Sequence, residues 1–234
     1  MKLRCVWEHN GGDTLLYAAD YPGAYTRGAS LDAALAKMPH EARAYAAWAR
    51  LPDPKFEAVE IVQEHESRLQ IADADSDVLF EAEKAPLTWE AYTVLKALAL
   101  KSAADFSALY LSIPEKNFSL LPARQTFYGT IPRTANEMYE HTKNVNGYYF
   151  GEIGVDADNS GTILECRTKG FAALEQSSGF LTRPAAEGSY GEWWSLRKVC
   201  RRFLWHDRIH AKAMYRMARK SLTYPALKNP FLFP

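Results

Sequence analysis

The chain has 234 residues, of which 28 are basic, 28 are acidic and 13% are aromatic. A net charge of zero excludes the bulk electrostatic attraction by which basic proteins bind nucleic acid or an anionic membrane surface. Six tryptophans and 47% hydrophobic residues predict a substantial core, in one large or two modest domains. Glu8 interrupts the N-terminus before a signal sequence can form, and no window is apolar for long enough to span a bilayer, so we expect a cytoplasmic protein.

The first part of the chain, residues 1–70, predicts a small β-β-β-α-β module. Its β-branched and alternating segments favour strands at residues 3–8, 14–19, 24–27 and 57–65. Asn10-Gly11-Gly12 predicts a tight hairpin between the first two strands. Ser30 is placed to cap one helix over residues 31–49, which would cover one face of the sheet. The histidines of this module are interpreted as solvated: His9, His40 and His65.

The segment from Tyr21 to Leu35 reads Tyr-Pro-Gly-Ala-Tyr-Thr-Arg-Gly-Ala-Ser-Leu-Asp-Ala-Ala-Leu. It resembles the HicB-like fold, a partial ribonuclease-H-like module whose members carry a similar Pro-Gly and Gly-x-Ser/Thr-x-x-x-Ala-Leu pattern before their helix. HicB antitoxins usually add a DNA-binding tail, whereas a different domain follows here. The resemblance therefore implies the module's fold, and its sheet would bind a partner if the protein is a non-catalytic regulatory protein, the second function considered below.

An acidic connector, residues 71–86, predicts a domain boundary. Beyond it, apolar stripes at helical spacing predict four helices, at about residues 88–113, 134–151, 164–176 and 193–220. Thr134 and Glu137 fit the capping box of the second of these helices. The sequence thus predicts an α+β protein in which an up-down four-helix bundle, residues 87–222, is followed by an extended tail, residues 223–234.

Three histidines fall on the apolar faces of two predicted helices. His206 and His210 are four residues apart, so they leave the same helix face, and His141 lies on the second helix between Met138 and Val145. Buried imidazoles need polar partners, and one metal ion would supply a partner to all three. Three protein ligands would leave an open position for Lewis-acid chemistry. The alternative is that each is a core histidine with its own hydrogen bond.

From about residue 88 to 220 the chain resembles the DinB/YfiT-like family of metal-dependent enzymes, on the segments Glu137 to His141 and Leu196 to His210. The resemblance implies an up-down four-helix bundle, often a homodimer, with His141, His206 and His210 at the three family ligand positions. Characterised relatives include transferases and isomerases that use bacillithiol, mycothiol or glutathione. Most members have no assigned activity.

Two functions remain open at this point. The first is an enzyme in which a divalent metal ion, most simply zinc or nickel, activates a water or a low-molecular-weight thiol for transfer to or hydrolysis of a small-molecule substrate. The second is a non-catalytic, metal-stabilised stress or regulatory protein. No catalytic acid or base is assigned, because Glu140 and Asp207 point about 100° away from their histidine neighbours. We expect neither a nucleic acid nor a membrane as partner.

Three further features are interpreted as structural. Cys5, Cys166 and Cys200 are widely separated and predict free thiols. Residues 156–161 copy the start of a calcium loop, but Arg167 replaces the carboxylate ligand at position twelve, so a polar turn is predicted. The last helix has a basic face, interpreted as solvated or paired with acidic neighbours; alternatively, one or two of its arginines bind a carboxylate on a substrate or thiol cofactor. Its members are Arg197, Lys198, Arg201, Arg202, Arg208, Lys212, Arg216, Arg219 and Lys220.

Overall fold

An N-terminal mixed sheet followed by several helices gives an α+β protein in a computed structural model that describes residues 1–73, 75–126, 129–221 and 227–233. The main strands are β1 (Lys2–Asn10), β2 (Asp13–Ala18), β3 (Tyr25–Gly28) and β4 (Ala58–Glu66). The helices are α1 (Leu31–Leu35), α2 (Met38–Trp48), α3 (Trp89–Leu111), α4 (Ala135–Gly151), α5 (Ile163–Glu175) and α6 (Leu196–Ser221). Short strands pair as β5 (Gln125–Thr126) with β6 (Gly129–Thr130), and β7 (Ala186–Glu187) with β8 (Trp193–Trp194). Within the described ranges, no helix is both long and apolar enough to cross a membrane.

The four predicted strands form one sheet in the order β3-β2-β1-β4. β1 pairs antiparallel with β2 and parallel with β4, while β3 pairs antiparallel with β2. The predicted hairpin is confirmed: Asn10 pairs with Asp13 across a two-residue turn in which Gly11 takes a φ of +58°. β4 forms the edge of the sheet next to β1.

The sheet is covered on both faces, so the expectation of one covered face was wrong. Leu3 and Leu16 face α1 and α2, whereas Val6 and Tyr17 on the opposite face pack with Trp205 of α6 and with apolar residues between 71 and 80. The physical reason is visible in β2, whose residues after Asp13 are all buried. A strand without polar alternation needs cover on both sides.

The single helix expected over residues 31–49 is divided into α1 and α2. Ser30 caps α1 as predicted, accepting a hydrogen bond from the backbone N–H of Ala33. Pro39 lies in the first turn of α2, where its missing N–H has no helical partner to lose. In one continuous helix its ring would clash with the carbonyl of Leu35, four residues earlier.

The predicted caps of the later helices are confirmed. Thr88 caps α3, and Thr134 and Glu137 form the capping box of α4. α6 begins at Leu196, later than expected, because Trp193 and the residue after it pair in β8. α6 packs on α3 and α4, and α5 packs on the same two helices.

The apolar core is continuous between the sheet module and the later helices. One buried cluster contains Leu3 of β1, Phe106 of α3, Met138 of α4 and Leu204 of α6. Gly23, with a φ of +91°, lies so close to α6 that a Cβ atom there would come within 2.6 Å of Leu204 Cβ. The division of the chain at residues 71–86 stays a prediction, but the two sides of it share this core.

The predicted tail at residues 223–234 lies partly outside the described residues, since 222–226 and 234 are not among them. Within residues 227–233, Phe231 and Phe233 are buried, and the Phe231 ring stacks on Trp48 at 5.7 Å. This part of the tail therefore belongs to the shared core.

Much of the basic face of α6 is buried, so its interpretation as solvated was wrong there, and the alternative of pairing with acidic neighbours is confirmed for Arg201 and Arg208. Arg208 donates to Glu41 Oε1 at 2.6 Å. Arg201 pairs with Glu83. Lys198 and Arg202 donate to backbone carbonyls of the connector, each at 2.7 Å. These contacts fix α6 on the N-terminal module and on the connector.

Candidate metal centre

The packing of α4 on α6 brings His141, His206 and His210 together. The ring centroid of His141 lies 5.1 Å from that of His206 and 4.6 Å from that of His210. The rings of His206 and His210 are 4.5 Å apart. One ring nitrogen from each residue lies within 4.8 Å of the other two. Small side-chain rotations can therefore direct three nitrogens at a single ion.

The three imidazoles differ in exposure. His206 is buried, with 8% of its surface accessible, and His210 is half-buried. His141 is exposed, so its predicted burial was wrong. The buried face of α4 is centred on Thr142 and Asn146, and His141 lies at the border of that face, beyond Met138. The cluster therefore opens to solvent on the side of His141.

The imidazoles are held in the neutral form. Desolvation lowers the pKa of His141, and it lowers the pKa of His210 to about 3. Desolvation, together with the neighbouring His210 and His141, lowers the pKa of His206 well below its usual value. Since a metal ion binds the deprotonated ring, the surroundings select the form that can act as a ligand.

One nitrogen of the cluster lacks a partner. His206 Nδ1 is buried and has no hydrogen-bond partner in the part of the chain that the structure describes. A buried polar atom without a partner costs about 1–3 kcal/mol. A divalent cation coordinated by the cluster would offset such a cost, and three neutral imidazoles are a donor set that zinc and nickel accept. The residues present fit such an ion.

Arg202 is one of two arginines, with Arg167, whose charge acts on His206. It precedes His206 by one helical turn, and its charge contributes to the lowered pKa of that histidine, after desolvation and the other two histidines. Its guanidinium lies 4.9 to 5.5 Å from the ring centroids of Trp205, Tyr149 and Trp194. The Arg202 Nε atom is buried without a described hydrogen-bond partner.

The two acidic residues adjacent in sequence to the histidines, Glu140 and Asp207, form ion pairs away from the cluster, as the sequence predicts. Asp207 and Arg167 form an ion pair between α6 and α5, and neither side chain has accessible surface. Arg167, the residue that breaks the calcium-loop pattern, is thus turned inward. Glu140 pairs with Lys143 one turn further along α4. Neither acid is placed to act as a base at the cluster.

The cysteines are buried free thiols, as expected. Burial raises the pKa of Cys5 and of Cys200 to about 12. The thiolate form needed for nucleophilic attack or metal binding is therefore disfavoured.

A second group of metal-ligating types was missed in the sequence. The parallel register of β1 and β4 places Glu8 opposite His65, and the connector adds Asp77. His65 Nε2 lies 2.9 Å from Asp77 Oδ1, so the interpretation of His65 as simply solvated was wrong. The sequence signal that could have revealed this group is Glu8 itself: it is a charged residue on the face of β1 where the preceding inward residue, Val6, is apolar.

This second group is saturated by its own hydrogen bonds. Glu8 Oε1 accepts the backbone N–H groups of Asp77 and Val78, and Oε2 accepts the hydroxyl of Tyr17. Burial raises the pKa of Glu8. Burial also disfavours the charged form of Asp77, but the hydrogen bonds of Asp77 with His65 and Glu8 outweigh it and lower the pKa of Asp77 to about 2. These hydrogen bonds join β1, β4 and the connector, and the ammonium group of Lys198, which donates to the backbone carbonyl of Asp77, disfavours the binding of a metal cation here.

No protein-family model, curated protein or solved structure matches this chain. The likeness to the HicB-like and DinB-like families therefore rests on the three segments that carry it, residues 21–35, 137–141 and 196–210. The functional argument rests on the histidine cluster and its surroundings.

Proposed function

We propose that the protein binds a divalent metal ion, zinc or nickel, through His141, His206 and His210, and that it is a metal-dependent enzyme of the DinB-like type. One observation carries the proposal: three neutral imidazoles from two helices converge to within 4.8 Å while a buried nitrogen of His206 has no described partner. Separate core histidines would each be expected to have their own hydrogen bond.

The residues of the chain have distinct tasks in this proposal. The apolar packing of α4 and α6 keeps the imidazoles neutral and orients them, and the exposed side of His141 admits a small-molecule substrate. A divalent cation with three protein ligands keeps an open position and acts there as a Lewis acid on a bound group. Arg202 is placed one turn away to attract an anionic group of a substrate or of a low-molecular-weight thiol. Transfer to a thiol or hydrolysis is the reaction type that this set supports best.

The proposal extends to the fold. We assign α3, α4, α5 and α6 to an up-down four-helix bundle and residues 1–70 to a HicB-like module. The mutual packing of these helices supports the first assignment, and the order of three strands, two short helices and a fourth strand supports the second. The second candidate function is a non-catalytic, metal-stabilised regulatory protein. It is favoured by the fact that Glu140 and Asp207 are both paired elsewhere and provide no base at the cluster.

The metal site is tested on protein purified without a histidine tag. Elemental analysis should find about one zinc or nickel ion per chain. In competition with a chelator, His141→Ala, His206→Ala and His210→Ala should each weaken metal affinity by roughly a hundredfold, because each removes a ligand. His40→Ala is the matched control and should leave affinity unchanged. Wild-type affinity in His141→Ala, or loss of the metal in His65→Ala in place of the cluster variants, would contradict the site.

The enzymatic part is tested separately. The metal-loaded and chelator-treated proteins are screened for thiol transfer and for hydrolysis. Turnover that requires the metal and disappears in His206→Ala supports the enzyme. Retention of the metal without turnover on any thiol or ester acceptor favours the regulatory alternative.

A further inference from the structure

A cationic cavity lies away from the histidine cluster, where β3, the start of α2 and the second half of α6 meet. Its volume is about 240 Å³. Four of its lining residues are basic, two from the N-terminal module and two from α6: Arg27, Lys37, Lys212 and Arg216. None of the three histidines of the cluster lines this cavity. The cavity therefore exists only because the two parts of the chain pack together.

The acid in the lining does not neutralise these cations. Glu41 accepts a hydrogen bond from the buried Arg208 at 2.6 Å and one from Lys212 at 3.0 Å. Although burial alone would raise the pKa of Glu41, these two cations lower it, so the carboxylate is ionised and already paired. Arg208 alone balances its charge. The cavity keeps an excess of positive charge on a chain whose net charge is zero.

The remaining cations contact neutral acceptors or solvent. Arg27 donates to the backbone carbonyl of Ile71, and Lys37 donates to the carbonyl of Arg27 at 2.8 Å. Arg216 is exposed and has no ion-pair partner among the residues described. Carbonyl dipoles orient these side chains without cancelling their charge. An anion in the cavity would complete the ion pairs that the protein leaves open.

We propose that this cavity binds the phosphoryl group of a small phosphorylated ligand. A phosphoryl dianion matches the charge of several cationic residues around one cavity, and guanidinium groups present paired N–H donors to its oxygens, whereas a single carboxylate would leave much of the charge unmatched. A polyanion such as nucleic acid would need a continuous basic surface, but Lys198, Arg201 and Arg208 of α6 are buried in contacts within the chain. The site is independent of the metal centre.

The test uses the full-length protein after chelator treatment, so that phosphate bound to a metal at the histidine cluster makes no contribution. Calorimetric titration with inorganic phosphate, pyrophosphate and glycerol phosphate should show saturable binding of one ligand per chain. Arg216→Gln and Lys37→Gln should each weaken the affinity by roughly tenfold. Both positions are exposed, so the variants should fold as the wild type does.

Arg219→Gln is the matched control, because Arg219 is an exposed cation three residues further along α6 that does not line the cavity. It should bind like the wild type. Stronger binding of glycerol phosphate than of inorganic phosphate assigns the site to a phosphomonoester, and the reverse order assigns it to the free ion. The proposal is overturned by absence of saturation up to about 10 mM ligand, by equal losses in Arg219→Gln and Arg216→Gln, or by tighter binding of acetate or of an oligonucleotide.

Discussion

Glu41→Gln is expected to be one of the most destabilising single changes in the chain. The Arg208 side chain has no accessible surface, and Glu41 Oε1 lies 2.6 Å from its Nη2. Nε and Nη1 of Arg208 have no hydrogen-bond partner in the described part of the chain. The substitution therefore leaves a cation buried without a counter-charge.

The expected cost follows from these exposures. Removing one partner of a buried ion pair costs about 3–5 kcal/mol. Lys212, the second partner of Glu41, is 17% exposed and can turn toward water, so its loss adds at most about 1 kcal/mol. For a chain of this size the melting temperature should fall by roughly 10 °C. The loss is a large part of a typical folding free energy of about 5–15 kcal/mol.

Urea unfolding followed by tryptophan fluorescence and by far-ultraviolet circular dichroism measures the effect. Both signals should shift together, because Glu41 on α2 and Arg208 on α6 join the N-terminal module to the later helices. Glu57→Gln is the matched control: its carboxylate is 83% exposed beside the N-terminal ammonium, and its loss should have little effect. The double variant Glu41→Gln with Arg208→Met should recover stability, since no buried charge is left unpaired.

A decrease of less than about 1 kcal/mol in the free energy of unfolding of Glu41→Gln would refute this reasoning, because removing the counter-charge of a fully buried cation should cost more than that. Two separate unfolding transitions in the wild type would also contradict it. They would mean that the sheet module and the helices unfold independently in spite of their shared core.

Three further outcomes are expected. With chelator present, the free energy of unfolding should fall as pH drops below about 6.5, by up to about 1.4 kcal/mol per pH unit for each of His206 and His210. The reason is that these two histidines bind protons in the unfolded chain but stay neutral in the folded protein. In acid titrations, His210→Gln should therefore show a flatter dependence of stability on pH. His65→Gln should be less stable than wild type at pH 6 but similar at pH 9 in urea unfolding, because the hydrogen bond with Asp77 raises the pKa of His65 against desolvation and the stabilisation is lost as pH rises through it. Gly23→Ala should cost about 2–3 kcal/mol in thermal unfolding, more than Gly129→Ala, which has a similar positive φ but no atom within 4 Å of the added Cβ.

Each of these expectations has a distinct opposing result. An unchanged acid slope in His210→Gln would mean that this histidine titrates normally in the folded protein. A His65→Gln variant that is equally destabilised at both pH values would show a packing role without a charge. Equal losses in Gly23→Ala and Gly129→Ala would attribute the effect to backbone strain and not to the contact with α6.

Local features of this protein could be predicted because their partners are a few residues away. The side-chain caps at Ser30 and Thr134 act within three residues, and the Asn10-Gly11-Gly12 turn needs only the conformational freedom of glycine. The break at Pro39 was equally local and could have been predicted from the clash of its ring with the carbonyl four residues earlier and from its missing N–H.

Charges near the candidate site were harder to interpret, because the free energy of a buried charge depends on a partner that the sequence places far away. Arg208 and Glu41 are 167 positions apart, and Glu8 and Asp77 are separated by 69. Arg208 and Glu41 resemble ordinary solvated charges in their own helices, as Asp77 does in the connector; only Glu8, at an inward position of β1, carries a local signal. The packing of α6 on the N-terminal module makes Glu41 and Arg208 a buried ion pair, and the packing of the connector on β1 gives the buried Glu8 its hydrogen-bond donors.

The histidine cluster shows the same division. The i, i+4 spacing of His206 and His210 determines that both leave one face of a helix, whatever the fold. That His141 meets them depends on the packing of α4 against α6, and its position at the border of the α4 face decides that the cluster is open to solvent. Helical periodicity predicts which face a side chain takes, but the depth of that side chain depends on what the neighbouring elements cover.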